Sequence, residues 1–201
     1  NLYQAKIAKP AKRLSLEYHQ TEQFERTKPE ITLAIGFIRP NRLDTLLEKC
    51  TEIGINHFIL FRSQYANYIS FNIERMNKIL RQAIKQSVQY YLPTIKIIDQ
   101  FKDFFKETDK FSIKIVAKDA DSHGLIDELT NLQYGNKTNV IIAIGPEGGF
   151  SEDEITDFSK NKFIPVSLGN TRLRTETAAI TGASIIKSYI QYKKETDFGS
   201  R

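Results

Sequence analysis

From Ile31 onward, short apolar runs alternate with segments whose apolar residues recur at helical spacing. Ile31–Ile38 is a β-like run. Arg39-Pro40-Asn41 breaks it, and Asn41 is placed to cap the helix that follows. That helix carries Leu43, Leu46, Leu47 and Cys50 on one face and ends at Gly54. His57–Phe61 reads as a second strand. A long helix from Asn72 to about Tyr91 stops before Pro93. Thr94–Ile98 is a strand, Phe101–Glu107 a short amphipathic helix, Ile113–Ala117 a strand and Gly124–Leu132 a helix. Val140–Ile144 is apolar and mostly β-branched, the pattern of a strand buried on both faces. Ser151–Lys160 is a helix opened by a capping box, Ser151 with Glu154. Ile164–Leu168 is a further strand and Glu176–Tyr192 the last helix. This alternation predicts an α/β fold, a parallel sheet with helices on both faces over residues 31–201.

Residues 1–30 have another character. Leu2–Ile7 and Arg13–Tyr18 read as short strands around Lys9-Pro10-Ala11-Lys12, and the polar stretch His19 to Glu30 reads as a linker. Two short strands make no stable sheet alone, so the segment is expected to borrow partners from the main domain, another chain or residues upstream.

Composition narrows the classes. No apolar run approaches the roughly 20 residues that span a bilayer, and Asn1 to Pro10 is polar and basic, unlike a signal peptide. The single cysteine, Cys50, forms no internal disulfide and falls on the apolar face of its helix, as a small core residue would. His19, His57 and His123 lie far apart and pair with no cysteine at metal spacing, so no zinc site is read. A cytoplasmic protein without membrane or metal is expected. The net charge of +5 favours polyanionic partners, but its lysines and arginines are interleaved with acids rather than gathered into a basic arm.

Two places carry the chemistry, each at the carboxyl end of a predicted strand, where open α/β sheets bind ligands. In Ile144-Gly145-Pro146-Glu147-Gly148-Gly149-Phe150-Ser151 a buried strand runs into three glycines and a proline just before a helix. Such backbone can approach a ligand closely. A tight strand-to-helix turn is the plainer reading. A phosphate loop lacks its closing Gly-Lys-Ser/Thr. In Leu168-Gly169-Asn170-Thr171-Arg172-Leu173-Arg174-Thr175-Glu176-Thr177-Ala178-Ala179 a strand ends in glycine, two arginines follow, and a helix opens with small residues in its first turns. Read plainly, this is a charged loop with an acid on a helix dipole.

Together, in this order and spacing, the two motifs resemble those of the RsmE family, the 16S rRNA (uracil-N3)-methyltransferases of the SPOUT superfamily. The resemblance extends upstream through Leu46–Gly54 and Glu74–Pro93 and covers essentially residues 31–193. It implies a C-terminal trefoil knot, a homodimer, and S-adenosyl-L-methionine as cofactor. Ile144, Gly145, Pro146, Glu147, Gly148, Gly149, Leu168, Gly169, Asn170 and Leu173 would hold that cofactor, with no metal required. It also identifies residues 1–30 as the final strands of an incomplete PUA-like β-barrel, an RNA-binding domain. Two departures stand out: Gln89 where the family usually has arginine, and Arg62–Asn67 in place of its usual loop after the second strand. Both are expected to face RNA. The last helix, through Ala179, Ala183, Ile186 and Ile190, is expected to build part of the dimer.

Methylating uracil N3 requires loss of the N3 proton, hence a base or a group that stabilises the uracil anion. Arg174 is assigned to the uracil, Arg172 to an RNA phosphate or base oxygen, and Glu176 to orienting one of them, with Glu147 an alternative proton acceptor. The expected partner is 16S rRNA in the small ribosomal subunit. The alternatives are a related SPOUT enzyme acting on tRNA or a ribose 2′-OH, and a non-catalytic ribosome-assembly protein that binds RNA.

Overall fold

The computed structural model describes residues 2–9, 15–22, 28–66, 68, 70–118, 122–132 and 138–198. Arg13 and Leu14 of the predicted second strand, residues 10–12 between the strands, residues 23–27 of the predicted linker and Asn67 lie outside the described residues. Strands β1 (Leu2–Lys9) and β2 (Ser15–Glu22) pair antiparallel in a two-stranded ladder. The predicted linker therefore begins in strand, since His19 and Gln20 pair with Gln4 and Tyr3.

The rest is a six-stranded, wholly parallel sheet with the expected strand–helix alternation. It comprises β3 (Ile31–Gly36), α1 (Pro40–Ile53), β4 (His57–Phe61), α2 (Ile73–Gln86), β5 (Thr94–Ile98), α3 (Phe101–Lys106), β6 (Ile113–Lys118), α4 (Leu125–Asn131), β7 (Val140–Ile144), α5 (Glu152–Lys160), β8 (Ile164–Ser167) and α6 (Thr175–Phe198). The strand order is β5-β4-β3-β7-β6-β8. β7 therefore returns to the middle, between β3 and β6, where every residue from Val140 to Ile144 is buried.

Alternate residues of each strand feed two cores. On one face Leu33, Ile35, Ile115 and Ile142 meet α1, α2, α4 and α6. On the other, Ala34, Ile59, Phe61, Ile141 and Ala143 meet α3 and α5, and here rings fill the volume. Phe61 stacks on Phe104 at 4.4 Å between centroids, and Phe158 stands edge-on to Phe104, Phe105 and Phe163. Two helices of only six and nine residues cover this face, so large side chains supply the buried area that helix length does not.

Helix ends account for most boundary differences. Asn41 does not cap α1. Arg39 is the N-cap without a side-chain bond, Pro40 opens the helix, and the exposed Asn41 Oδ1 accepts from Arg42 N–H. Proline suits that position because its missing N–H is one the helix leaves unpaired anyway. Gly54 closes α1 at φ 98°. Helix α2 begins after Asn72, whose side chain caps it by accepting from Arg75 N–H, and stops at Gln86, short of Tyr91. Val88 takes φ 54°, which no helix continues through, and the Ser87 hydroxyl folds back to donate to the Ala83 carbonyl at 2.7 Å.

In α6 the chain departs from expectation. Ala179, Ala183, Ile186 and Ile190 are buried within the chain's own core, against β3, β7 and α1. The helical periodicity marked a face that needs covering, and the sheet covers it. These four side chains are already covered within the chain itself. Gly182 lies so close to β7 that a Cβ there would stand 2.8 Å from Ile142 Cδ1.

Cys50 is fully buried, and burial pushes its thiol up to about 12. In the folded protein it should stay unreacted with a thiol reagent at pH 8, where a free cysteine, with a pKa of about 8.5, is partly thiolate. One thiol per chain should appear on denaturation. A native chain that reacts at the denatured rate would contradict this burial.

Candidate functional site

Both predicted loops open on one cleft of about 700 Å³ beyond the carboxyl ends of β6, β7 and β8. Ile144, Gly145, Pro146, Glu147, Gly148 and Gly149 line it from one loop. Leu168, Gly169, Asn170, Arg172, Leu173 and Arg174 line it from the other. Arg42 at the start of α1 and Ala117 and Lys118 at the end of β6 also contribute. Of the predicted site residues only Glu176 stands off the lining.

The glycine loop is held from three sides. The Gly149 N–H donates to the Pro146 carbonyl at 2.9 Å, closing a tight turn in which Gly149 adopts φ +75°. Pro146 lies across the end of β3, where a Cβ on Gly36 would stand 2.6 Å from its Cδ. Gly148 backs onto Tyr65, and a Cβ there would come within 2.7 Å of the tyrosine Cβ. Beyond the loop, the capping box forms as predicted: Ser151 N–H donates to Glu154 Oε2 at 2.9 Å and Glu154 N–H to Ser151 Oγ at 3.2 Å. The second carboxylate oxygen accepts from Gln64 N–H at 2.7 Å, so Glu154, 5% exposed, also ties α5 to the loop after β4.

The second loop is stapled by Ser167. Its hydroxyl accepts from Gly169 N–H at 3.2 Å and donates to the Gly169 carbonyl at 3.1 Å, while its own N–H donates to the His123 carbonyl at 2.8 Å. Gly169 takes φ +135°, with no atom within 4 Å of where a Cβ would be. Gly169 is exposed.

Arg172 and Arg174 are exposed on the cleft, and neither has an ion-pair partner among the described residues. Glu176 pairs with neither. Its Oε2 lies 3.9 Å from Arg42 Nη1, and the same guanidinium nitrogen lies 3.5 Å from Glu147 Oε1. Arg42 therefore stands between an acid of each motif. Nothing in the local spacing marks Arg42, which falls among the residues of α1 outside its buried face.

Of the two departures, Gln89 turns inward, while the loop after β4 keeps Arg62, Gln64 and Tyr65 exposed. Gln89 Nε2 donates to the Thr51 carbonyl at 2.6 Å, the Glu52 carbonyl at 3.2 Å and Ser87 Oγ at 2.9 Å, so it caps the carboxyl end of α1. A helix leaves its last carbonyls unpaired, and an amide donor satisfies them. In the loop from Arg62 only Ser63 is buried, and the exposed Gln64 holds Glu154 through its backbone N–H. Tyr65 props up the glycine loop while remaining 45% exposed.

Residues 25–187 match the family model described as an RNA methyltransferase domain. The Borreliella burgdorferi protein named ribosomal RNA small subunit methyltransferase E 1 is 31% identical over 166 residues, which are 79% of this chain and 67% of that protein. The chain belongs to the ribosomal RNA small subunit methyltransferase E family. A crystal structure from Porphyromonas gingivalis, described as a probable rRNA-methyltransferase, superposes with a TM-score of 0.83 at 28% identity, covering 93% of this chain and 79% of that one. A Legionella pneumophila structure in complex with bound S-adenosylmethionine superposes with a TM-score of 0.78 at 26% identity, covering 92% and 78%. The family assignment thus joins the motif reading to the cleft: the two loops that carry the resemblance are the two that meet.

Glu154 tests how the loops are held. Glu154→Ala removes the acceptor of two backbone amides in a buried setting and should cost roughly 2–4 kcal/mol of stability. Glu154→Gln, which keeps one acceptor oxygen, should cost about half as much. Chemical denaturation reads both. A loss under about 0.5 kcal/mol for the alanine variant, the size of an ordinary surface change, would remove Glu154 from this role.

Proposed function

We propose that this chain methylates N3 of a uridine in 16S ribosomal RNA of the small subunit, with S-adenosyl-L-methionine as donor. The observation that carries the reading is the meeting of the two family motifs on one cleft. The names of the curated relatives point to the substrate, and the ligand of the Legionella pneumophila structure points to the donor. The cleft suits that donor. Ile144, Phe150, Leu168 and Leu173 offer apolar surface for a purine, the two loops offer backbone donors and acceptors, and no atom lies within 4 Å of a Cβ position on Gly149 or Gly169. When bound, the cofactor supplies an electrophilic methyl group on its sulfonium sulfur.

The protein's own contribution is position and charge. Gly145 to Gly149 and Leu168 to Leu173 hold the cofactor through backbone groups. Arg174 meets the uracil oxygens and stabilises the anion left as the N3 proton departs, and it keeps its charge at any working pH. Arg172 meets a phosphate or a second base oxygen, and Glu147, which lines the cleft, is an alternative proton acceptor. Holding N3 in line with the methyl supplies the rest. A trefoil knot in the last three strands and α6 accords with the order β7-β6-β8 and with the two loops facing one another. The paired β1 and β2 are read as part of an RNA-binding barrel. The protein acts in the cytoplasm as a symmetric dimer on a surface other than the buried face of α6. This arrangement is favoured by the frequency of two-fold symmetry among soluble oligomers and by the family resemblance.

The test is methyl transfer to small subunits lacking the modification, followed by nucleoside mass analysis, with 3-methyluridine the expected product. Methylation at a ribose, or of tRNA alone, would replace this reading. Gly169→Val places a β-branched residue at φ +135° and should weaken cofactor binding by at least about tenfold while the chain stays folded. Unchanged affinity by calorimetry would overturn the loop assignment. Arg174→Ala should bind cofactor nearly normally and lose kcat by roughly 100-fold, since an interaction made in the transition state acts on rate. Equal turnover at saturation would remove Arg174 from the reaction.

A further inference from the structure

The two loops that form the cleft come from distant parts of the chain, and no backbone hydrogen bond among the described residues joins residues 145–150 to residues 168–176. What lies between them is Arg42. Its Nη1 is 3.5 Å from Glu147 Oε1, in the glycine loop, and 3.9 Å from Glu176 Oε2, on the second residue of α6. The three side chains are 28%, 23% and 16% exposed, so they are largely withdrawn from water. Both carboxylate oxygens that face the guanidinium are buried without a hydrogen-bond partner. Two acids held close in partial burial repel one another and are tolerated only with a cation between them. Arg42 is itself held by α1, whose Leu43, Leu46 and Leu47 are anchored in the core, so the cation is fixed to the rigid part of the fold rather than to either loop.

We propose that Arg42 is a positioning residue that sets the spacing of the cofactor cleft by drawing the glycine loop and the amino-terminal turn of α6 to one guanidinium. The proposal rests on the reading of the cleft as the S-adenosylmethionine site. At 3.5 and 3.9 Å the contacts are attractions between charges rather than hydrogen bonds, so the device depends on charge balance: one cation offsets two acids. Removing the cation leaves two uncompensated carboxylates facing one another, one on the glycine loop and one on the first turn of α6. Removing one acid as well restores part of the balance.

The experiment measures S-adenosylmethionine binding by calorimetry, and methyl-transfer kinetics on small subunits, for wild type, Arg42→Ala, Arg42→Lys and the double variant Arg42→Ala/Glu176→Gln. Arg42→Ala should raise the cofactor Kd and KM about tenfold while the KM for RNA changes by less than about twofold. Arg42→Lys, which keeps the charge, should recover most of the affinity. The double variant should bind more tightly than Arg42→Ala although it carries one substitution more, a rescue that mere loss of fold stability does not produce. A cofactor Kd within twofold of wild type for Arg42→Ala overturns the proposal. So does a double variant no better than the single one. If Arg42→Ala unfolds, seen in its melting curve, the lysine variant carries the test. It should bind about two- to fivefold more weakly than wild type and improve when Glu176→Gln is added, and the absence of that improvement overturns the proposal. Wild type that binds no S-adenosylmethionine would instead defeat the reading of the cleft, which separates the two failures.

Discussion

The glycine loop can cross the end of β3 only because Gly36 has no side chain. Pro146 occupies the space that a Cβ at Gly36 would take, with its Cδ at 2.6 Å and its own backbone nitrogen at 2.9 Å from that point. This approach follows from the placing of β7 beside β3, with Ile35 opposite Ile144 and the two strands ending together. The rest of the site depends on it. Gly148 is then brought onto Tyr65, Ser151 begins α5 where Glu154 can reach both it and Gln64, and Glu147 is left facing Arg42.

The energetics divide along the same line. The sheet and its two cores are held by apolar burial, which is non-directional and proportional to area. The site is held by a few directional contacts of backbone and charge: the Glu154 carboxylate, the Ser167 hydroxyl, and the Arg42 pairs. A rigid sheet supplies strand ends at fixed separation, and short polar ties fix the loops upon them. Exposed Arg172 and Arg174 are outside these ties and have no ion-pair partner among the described residues.

The sequence by itself determined the elements and the two loops of the cleft. Val140–Ile144 was legible as a strand to the residue because a strand buried on both faces is apolar throughout, and His57–Phe61 because four apolar residues follow its half-buried histidine. The capping box at Ser151 and Glu154 was legible because its bonds are local. Twelve of the thirteen predicted site residues line the cleft, and it was the order and spacing of the two motifs together, resembling those of a known family, that marked them. Tertiary structure decided the rest. Periodicity marked Ala179, Ala183, Ile186 and Ile190 as a face to be covered but could not say that the chain's own sheet covers it. The resemblance, which places Gln89 where the family usually has arginine, made it look like a substrate contact, and only the position of the α1 carbonyls turned it inward. The strand order, and with it the meeting of Arg42 with Glu147 and Glu176, arises from contacts between residues far apart in sequence. Local pattern records which side of an element must be buried, but not which distant partner will bury or pair it.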